Sequence, residues 1–175
     1  MSIGQKEQAM TIGQMIAAEL RQETIATRKM LERIPNEKFS WQPHEKSMTL
    51  IRLAGHIAEM VMWTDATLKQ DELDFATADY KPKEYTDVSE LVADLDKNVA
   101  AAVETLNATS NETMMQNWRL RNGEQIYFEL PKAAVLRTMV MNHIIHHRGQ
   151  LAVYLRLLDI PVPSIYGPSA DEQTF

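Results

Sequence analysis

Apolar residues recur every three or four positions along four long stretches of the chain, which is the pattern of amphipathic helices. Polar segments rich in proline, asparagine and aspartate separate the stretches, and such residues are typical of helix ends and loops. The sequence therefore predicts four helices, over Gln8–Ile34, Thr49–Gln70, Thr86–Leu106 and Pro131–Leu158. Ser47 and Thr86 are the predicted caps of the second and third helices, because a hydroxyl can accept a hydrogen bond from a free N–H of the first turn.

The segment 117–130, NWRLRNGEQIYFEL, differs from the helical stretches. Asn122-Gly123 is a strong hairpin signal, because both residues tolerate the positive φ angles of a tight turn. A β-hairpin is therefore expected between the third and fourth helices. An isolated hairpin is only marginally stable, so this one should pack against the helices.

Four amphipathic helices must bury their apolar faces against one another, which predicts an all-α four-helix bundle. The chain has 175 residues and no repeat or low-complexity linker. That length suits one domain, and we assign residues 1–175 to it.

Composition narrows the function. A net charge of −6 with scattered basic residues argues against a nucleic-acid-binding protein. The longest apolar runs are too short to span a membrane, and the N-terminus lacks the pattern of a secretory signal, so a cytoplasmic location is expected. The absence of cysteine excludes disulfides, iron–sulfur clusters and an internal thiol nucleophile.

Three of the five histidines lie within MNHIIHHRGQL, residues 141–151. His143 and His147 are four positions apart and thus share a helix face, where two imidazoles can chelate one divalent ion. His56 lies on the apolar stripe of the second helix, and burying an imidazole without a partner is unfavourable. If these helices pack together, His56, His143 and His147 form a three-histidine metal site. The alternative is that they are core histidines satisfied by ordinary hydrogen bonds.

Four further residues are candidates for the surroundings of the site or a substrate pocket: Glu59, Trp63, His146 and Arg148. Arg148 could bind an anionic substrate group or pair with an acidic residue of a neighbouring helix. Glu59 could orient a ligand imidazole, or it could be a solvated surface residue. Trp63 could be core, and His146 points away from His143. No catalytic residue is assigned.

The segments LAGHIAEM, NHIIHHRGQLAVYLRLL and IPVPSIYGPSAD together resemble the DinB/YfiT-like family of proposed metalloenzymes. IPNEKFSWQPHEKSMTL is also similar to the first interhelix region of that family. The resemblance spans nearly the whole chain and does not concern the DNA polymerase that shares the short name. It implies an up-down-down-up bundle, His56, His143 and His147 as metal ligands, and a homodimer.

The resemblance also suggests chemistry. Related proteins are thiol-dependent S-transferases and isomerases that use bacillithiol, mycothiol or glutathione. The leading hypothesis is a transferase in which a divalent metal activates such a thiol for attack on a small electrophile. Zn²⁺ or Ni²⁺ is the expected metal, and Fe or Mn is the alternative. The alternatives are a hydrolase using metal-bound water and a non-catalytic, stress-related metal-binding dimer.

Overall fold

The structure is a computed structural model that describes residues 9–173. Its α-helices are α1 (Ile12–Leu31), α2 (Leu50–Met60), α3 (Trp63–Lys69), α4 (Val88–Ala108), α5 (Asn111–Met114), α6 (Lys132–Val135) and α7 (Asn142–Leu157). A short 3₁₀ helix, Asn36–Lys38, follows α1. A π-helical segment, Leu136–Met141, joins α6 to α7. Within residues 9–173, no helix is long and apolar enough to cross a bilayer.

The predicted helices are present, with two changes. Gln8, the predicted start of the first helix, lies outside the described residues, and the described part of α1 begins after the cap Thr11. The predicted second helix is divided into α2 and α3. At the junction the backbone N–H groups of Met62 and Thr64 bond to carbonyls three residues earlier, which tightens the chain into a 3₁₀-like turn.

Both predicted caps were wrong by one or two positions. Thr49, not Ser47, caps α2 and accepts a hydrogen bond from the backbone N–H of Arg52. Asp87, not Thr86, caps α4 through the N–H of Ser89. Adjacent Ser, Thr and Asp side chains are equivalent candidates in a sequence, and only the backbone geometry selects among them.

The predicted fourth helix is continuous through α6, the π-helical segment and α7. A π turn closes its hydrogen bond over five residues rather than four, so the buried face shifts along the chain. In α7, Ile144 and Leu155 are buried, whereas Tyr154 of the predicted stripe is only half-buried. His147 and Leu151 stay on the buried face.

The predicted hairpin is present as β2 (Asn117–Asn122) and β3 (Gln125–Pro131), which pair antiparallel. Gly123 has a φ of 60°, as the turn requires. A further strand, β1 (Glu72–Asp74), pairs parallel with β2, so the hairpin belongs to a mixed three-stranded sheet in the order β1-β2-β3. The sheet packs on the helices through Trp118, whose indole is fully buried.

The main core lies among the long helices. α1 packs on α4 and α2 packs on α7, while α2 also touches α4 and α1 touches α7. A Cβ at Gly13 of α1 would lie 2.1 Å from the backbone carbonyl oxygen of Leu106, so this contact requires glycine. The fold is mostly helical with a small sheet. A plain four-helix bundle with one hairpin was too simple a description, and the up-down-down-up order stays a prediction.

Candidate metal centre and adjoining cleft

The packing of α2 on α7 brings His56, His143 and His147 together. Ring centroids are 4.6 Å apart for His143 and His147, 4.7 Å for His56 and His147, and 5.3 Å for His56 and His143. One potential ligand atom from each residue lies within 4.8 Å of the others. The site therefore depends on one helix–helix contact between parts of the chain about ninety residues apart.

The donor set fits a divalent transition metal. Tetrahedral zinc, with Zn–N bonds of about 2.0–2.1 Å, separates its nitrogens by roughly 3.4 Å, so modest imidazole rotations would suffice. Among residues 9–173, the cluster contains three histidines and no carboxylate. Three imidazoles leave a coordination position for a small ligand, as in catalytic rather than closed structural sites. Imidazole suits Zn, Ni, Cu and Fe, so the donors do not select one metal.

Burial keeps all three imidazoles neutral. Burial, together with the neighbouring His147 and His143, lowers the pKa of His56 to about 4. Burial also lowers the pKa values of His143 and His147. Because only the neutral ring offers a lone pair to a metal, the cluster is prepared for coordination at neutral pH.

Gln150 orients one of the rings. Its Oε1 lies 2.7 Å from Nδ1 of His147, three residues earlier on the same helix. An amide oxygen can only accept, so this contact places the ring proton on Nδ1 and leaves Nε2 free to bind. Such contacts fix the tautomer of ligand histidines in metalloproteins.

Two of the candidate surrounding residues, His146 and Arg148, are not among the residues that line the cleft beside His56. His146 is exposed, and its ring stands 4.9 Å from that of His147 without joining the three-donor group. Arg148 is 1% exposed, and its Nη2 lies 2.6 Å from Glu23 Oε2. The guanidinium also donates to Thr27 and Tyr166. These contacts match the ion-pair alternative for Arg148 and contradict its placement in a substrate pocket.

The other two candidates, Glu59 and Trp63, line a cleft of about 360 Å³ that also has His56 in its wall. Glu59 does not orient an imidazole by a hydrogen bond. It accepts from Arg52 Nη1 at 2.9 Å, from the backbone N–H of Lys83 at 3.0 Å and from the Tyr80 hydroxyl. It therefore holds the loop that follows β1 against α2, and its nearby charge acts on His56 only through space.

A comparison with known proteins agrees with this arrangement. The sequence profile of the DinB family matches residues 7–174. The chain belongs to the DinB family. It is also 27% identical over 160 residues to the uncharacterised protein YrdA of Bacillus subtilis strain 168, a match that covers 86% of this chain and 85% of that protein.

Solved DinB family structures share the fold. The DinB-like protein YjoA of Bacillus subtilis superposes with a TM-score of 0.68 at 20% identity, covering 91% of this chain and 99% of that one. A DinB-like protein from Bacillus cereus ATCC 10987 gives a TM-score of 0.64 at 26% identity, covering 86% and 95%. These likenesses support the mostly helical architecture that carries the three histidines.

Sequence reasoning missed several parts of the site. The contact of Gln150 with His147 could have been found, because the two residues are three positions apart and thus on the same helix face. Arg52 could have been found in the same way, one turn before His56. Phe75 and Tyr80, which complete the cleft, lie in an irregular connection. Nothing periodic in that segment indicates where its side chains point.

Proposed function

We propose that this protein is a metal-dependent transferase in which His56, His143 and His147 hold one divalent ion, Zn²⁺ or Ni²⁺. A low-molecular-weight thiol would be one substrate and a small electrophile the other. The observation that carries the proposal is that His56 is both a member of the three-donor cluster and part of the wall of a cleft. A metal site that only stabilises the fold does not need a cleft through which a substrate can reach the metal.

The chain's own residues would supply binding and orientation. A divalent ion at the three imidazoles would supply the positive charge that stabilises a thiolate at neutral pH. Gln150 fixes the His147 ring, and the low pKa of His56 keeps that ring unprotonated. The chain has no cysteine, so the thiol must come from outside.

The hydrolase alternative is less well supported. Hydrolysis by metal-bound water needs a general base near the metal. Glu59 is the carboxylate nearest in sequence to His56, and both its oxygens already accept hydrogen bonds. Recruiting it as a base would release the Tyr80–Lys83 loop from α2. A non-catalytic, stress-related metal-binding role would leave the cleft unexplained.

The first test is metal stoichiometry by elemental analysis of tag-free protein, after chelation and reloading with Zn²⁺ or Ni²⁺. We expect about one ion per chain in the wild type and in His146→Ala, and strong loss in His56→Ala and His143→Ala. Thiol consumption is then followed with bacillithiol, mycothiol and glutathione against alkyl halides and epoxides. No bound metal under any loading would refute the proposal, and metal binding without thiol turnover would refute its transferase part.

The family resemblance further suggests a homodimer and a four-helix arrangement of up-down-down-up order, and we retain these as proposals together with the cytoplasmic location expected from the sequence. Sedimentation equilibrium of the full chain tests the dimer. A single monomeric species across micromolar concentrations would count against it.

A further inference from the structure

The cleft beside His56 gathers large apolar side chains that the fold leaves exposed. Met62 is 57% exposed, Phe75 is 45% exposed and Tyr80 is 60% exposed, and all three line the same opening. Exposed apolar area is unfavourable in water, and grouping it around a concave surface is typical of ligand sites. A ligand in the cleft would therefore displace water from these apolar side chains.

The cleft walls suit a flat ring. Trp63 and Phe75 meet edge to face, with centroids 6.2 Å apart and an interplanar angle of 63°. Met60 and Met62 add thioethers, which make favourable contacts with aromatic edges and adapt to irregular shapes. Aromatic groups gain more from such surroundings than aliphatic groups of equal area, because ring faces and edges carry complementary charge.

At the polar end of the cleft, the positive charge of Arg52 is paired with the negative charge of Glu59. Arg52 is the one cationic side chain among the lining residues that lie within 9–173. It donates to Glu59 at 2.9 Å and to the Tyr80 hydroxyl at 3.0 Å. An anionic ligand would have to compete with Glu59 for the guanidinium, and a cationic one would have to compete with Arg52. An uncharged ligand disturbs neither contact.

From these observations we propose that the cleft is the subsite for the electrophile and that it accepts uncharged aromatic compounds. The site would hold the ring between Trp63, Phe75 and Met62, with its reactive atom directed to His56. The volume is adequate: a cavity of about 150 Å³ already admits benzene, and about 360 Å³ accommodates two fused rings. This substrate class rests on the proposed function, but the ring-binding cleft itself does not require a metal.

Fluorescence titration of the full-length, chelator-treated protein with N-phenyl-1-naphthylamine, an uncharged aromatic probe, tests the inference. Ala66→Phe should weaken probe binding at least ~10-fold, because Ala66 lines the cleft and the new ring would fill it. The matched control is Ala101→Phe on the exposed face of α4, which should bind like the wild type. Should Ala66→Phe fail to fold, Phe75→Ala replaces it, with an expected loss of ~5-fold.

A second comparison tests charge. The anionic probe 8-anilinonaphthalene-1-sulfonate should bind at least ~10-fold more weakly than the uncharged probe. Equal or tighter binding of the anion, or no effect of both Ala66→Phe and Phe75→Ala, would overturn the inference.

Metal content measured on the reloaded samples separates the two proposals. Probe binding that depends on the cleft, in a protein that never takes up metal, would leave the aromatic site standing and refute the metal-dependent function. Metal uptake without cleft-dependent probe binding would refute the aromatic site and leave the metal centre standing.

Discussion

Replacing Arg148 by methionine should destabilise the protein strongly without altering its metal site directly. The Arg148 and Glu23 side chains are 2% and 11% exposed, and their charged atoms are 2.6 Å apart. Methionine replaces the aliphatic stem of arginine but leaves the Glu23 carboxylate buried without its cation. Breaking a buried pair in this way costs about 3–5 kcal/mol. The guanidinium also donates to the Glu23 carbonyl at 2.9 Å, so the upper part of that range is expected.

The assay is urea unfolding of chelator-treated protein at pH 7, followed by circular dichroism. For a domain of this size, the expected loss corresponds to a fall in Tm of roughly 6–20 °C. Arg28→Met is the matched control, because Arg28 is 42% exposed and its ion pairs with Glu32 and Asp96 should contribute less than ~1 kcal/mol. The double variant Glu23→Leu/Arg148→Met should recover most of the loss, since it removes both charges.

An Arg148→Met variant no less stable than Arg28→Met would refute the reasoning. Arg148 would then be available for another role, such as the contact with an anionic substrate group that was one hypothesis from the sequence. A large loss that the double variant does not recover would instead assign the effect to packing rather than to the unpaired carboxylate.

Three further outcomes are expected. The metal-free protein should lose stability as pH falls from about 6.5 to 4, because the unfolded chain takes up a proton at His56 before the folded one does. In the metal-loaded protein, the metal should dissociate over the same pH interval. Gln150→Leu should weaken metal binding ~10–100-fold by freeing the His147 ring, whereas Gln150→Glu should keep most of the affinity. Gly13→Ala should destabilise by about 1–3 kcal/mol through its clash, whereas Gly149→Ala, in open space, should stabilise by up to ~1 kcal/mol.

Denaturation midpoints at several pH values, competitive metal titration and urea unfolding measure these three effects in turn. The account of His56 would be contradicted if the stability of the metal-free wild type did not change between pH 6.5 and 4 and the His56→Gln variant gave the same pH profile. Equal metal affinity in both Gln150 variants would show that the contact does not set the tautomer. A Gly13→Ala variant as stable as the wild type would mean that α1 can move away from α4.

The sequence predicted the parts of this protein that depend on periodicity. Long amphipathic helices follow from apolar spacing, and the Asn122-Gly123 turn follows from its residue types. The three histidines were found because an imidazole on an apolar stripe needs a partner, and two such stripes have to meet. These signals are local and repeat along the chain.

The parts that could not be predicted depend on tertiary contacts or single backbone choices. β1 pairs with β2 only after folding has placed Glu72–Asp74 beside the hairpin, and three residues are too few to show alternation. The role of Arg148 depended on whether an acidic partner faced it, and Glu23 is 125 positions away along the chain. The cleft is completed by Phe75 and Tyr80 from an irregular segment, whose side chains no helical or strand period constrains.

The π-helical segment Leu136–Met141 adds one residue to the helix that runs from α6 to α7, compared with a regular α-helix between the same two end points. Removing one residue there would restore ordinary α-helical bonding and leave α7 in nearly the same orientation relative to α6. The two helix faces would stay in register, so the histidines of α7 would still face His56, but each would be numbered one position lower. For this reason, an alignment of related chains that forbids gaps inside helices would pair the ligand histidines with the wrong residues of any relative that lacks the π turn.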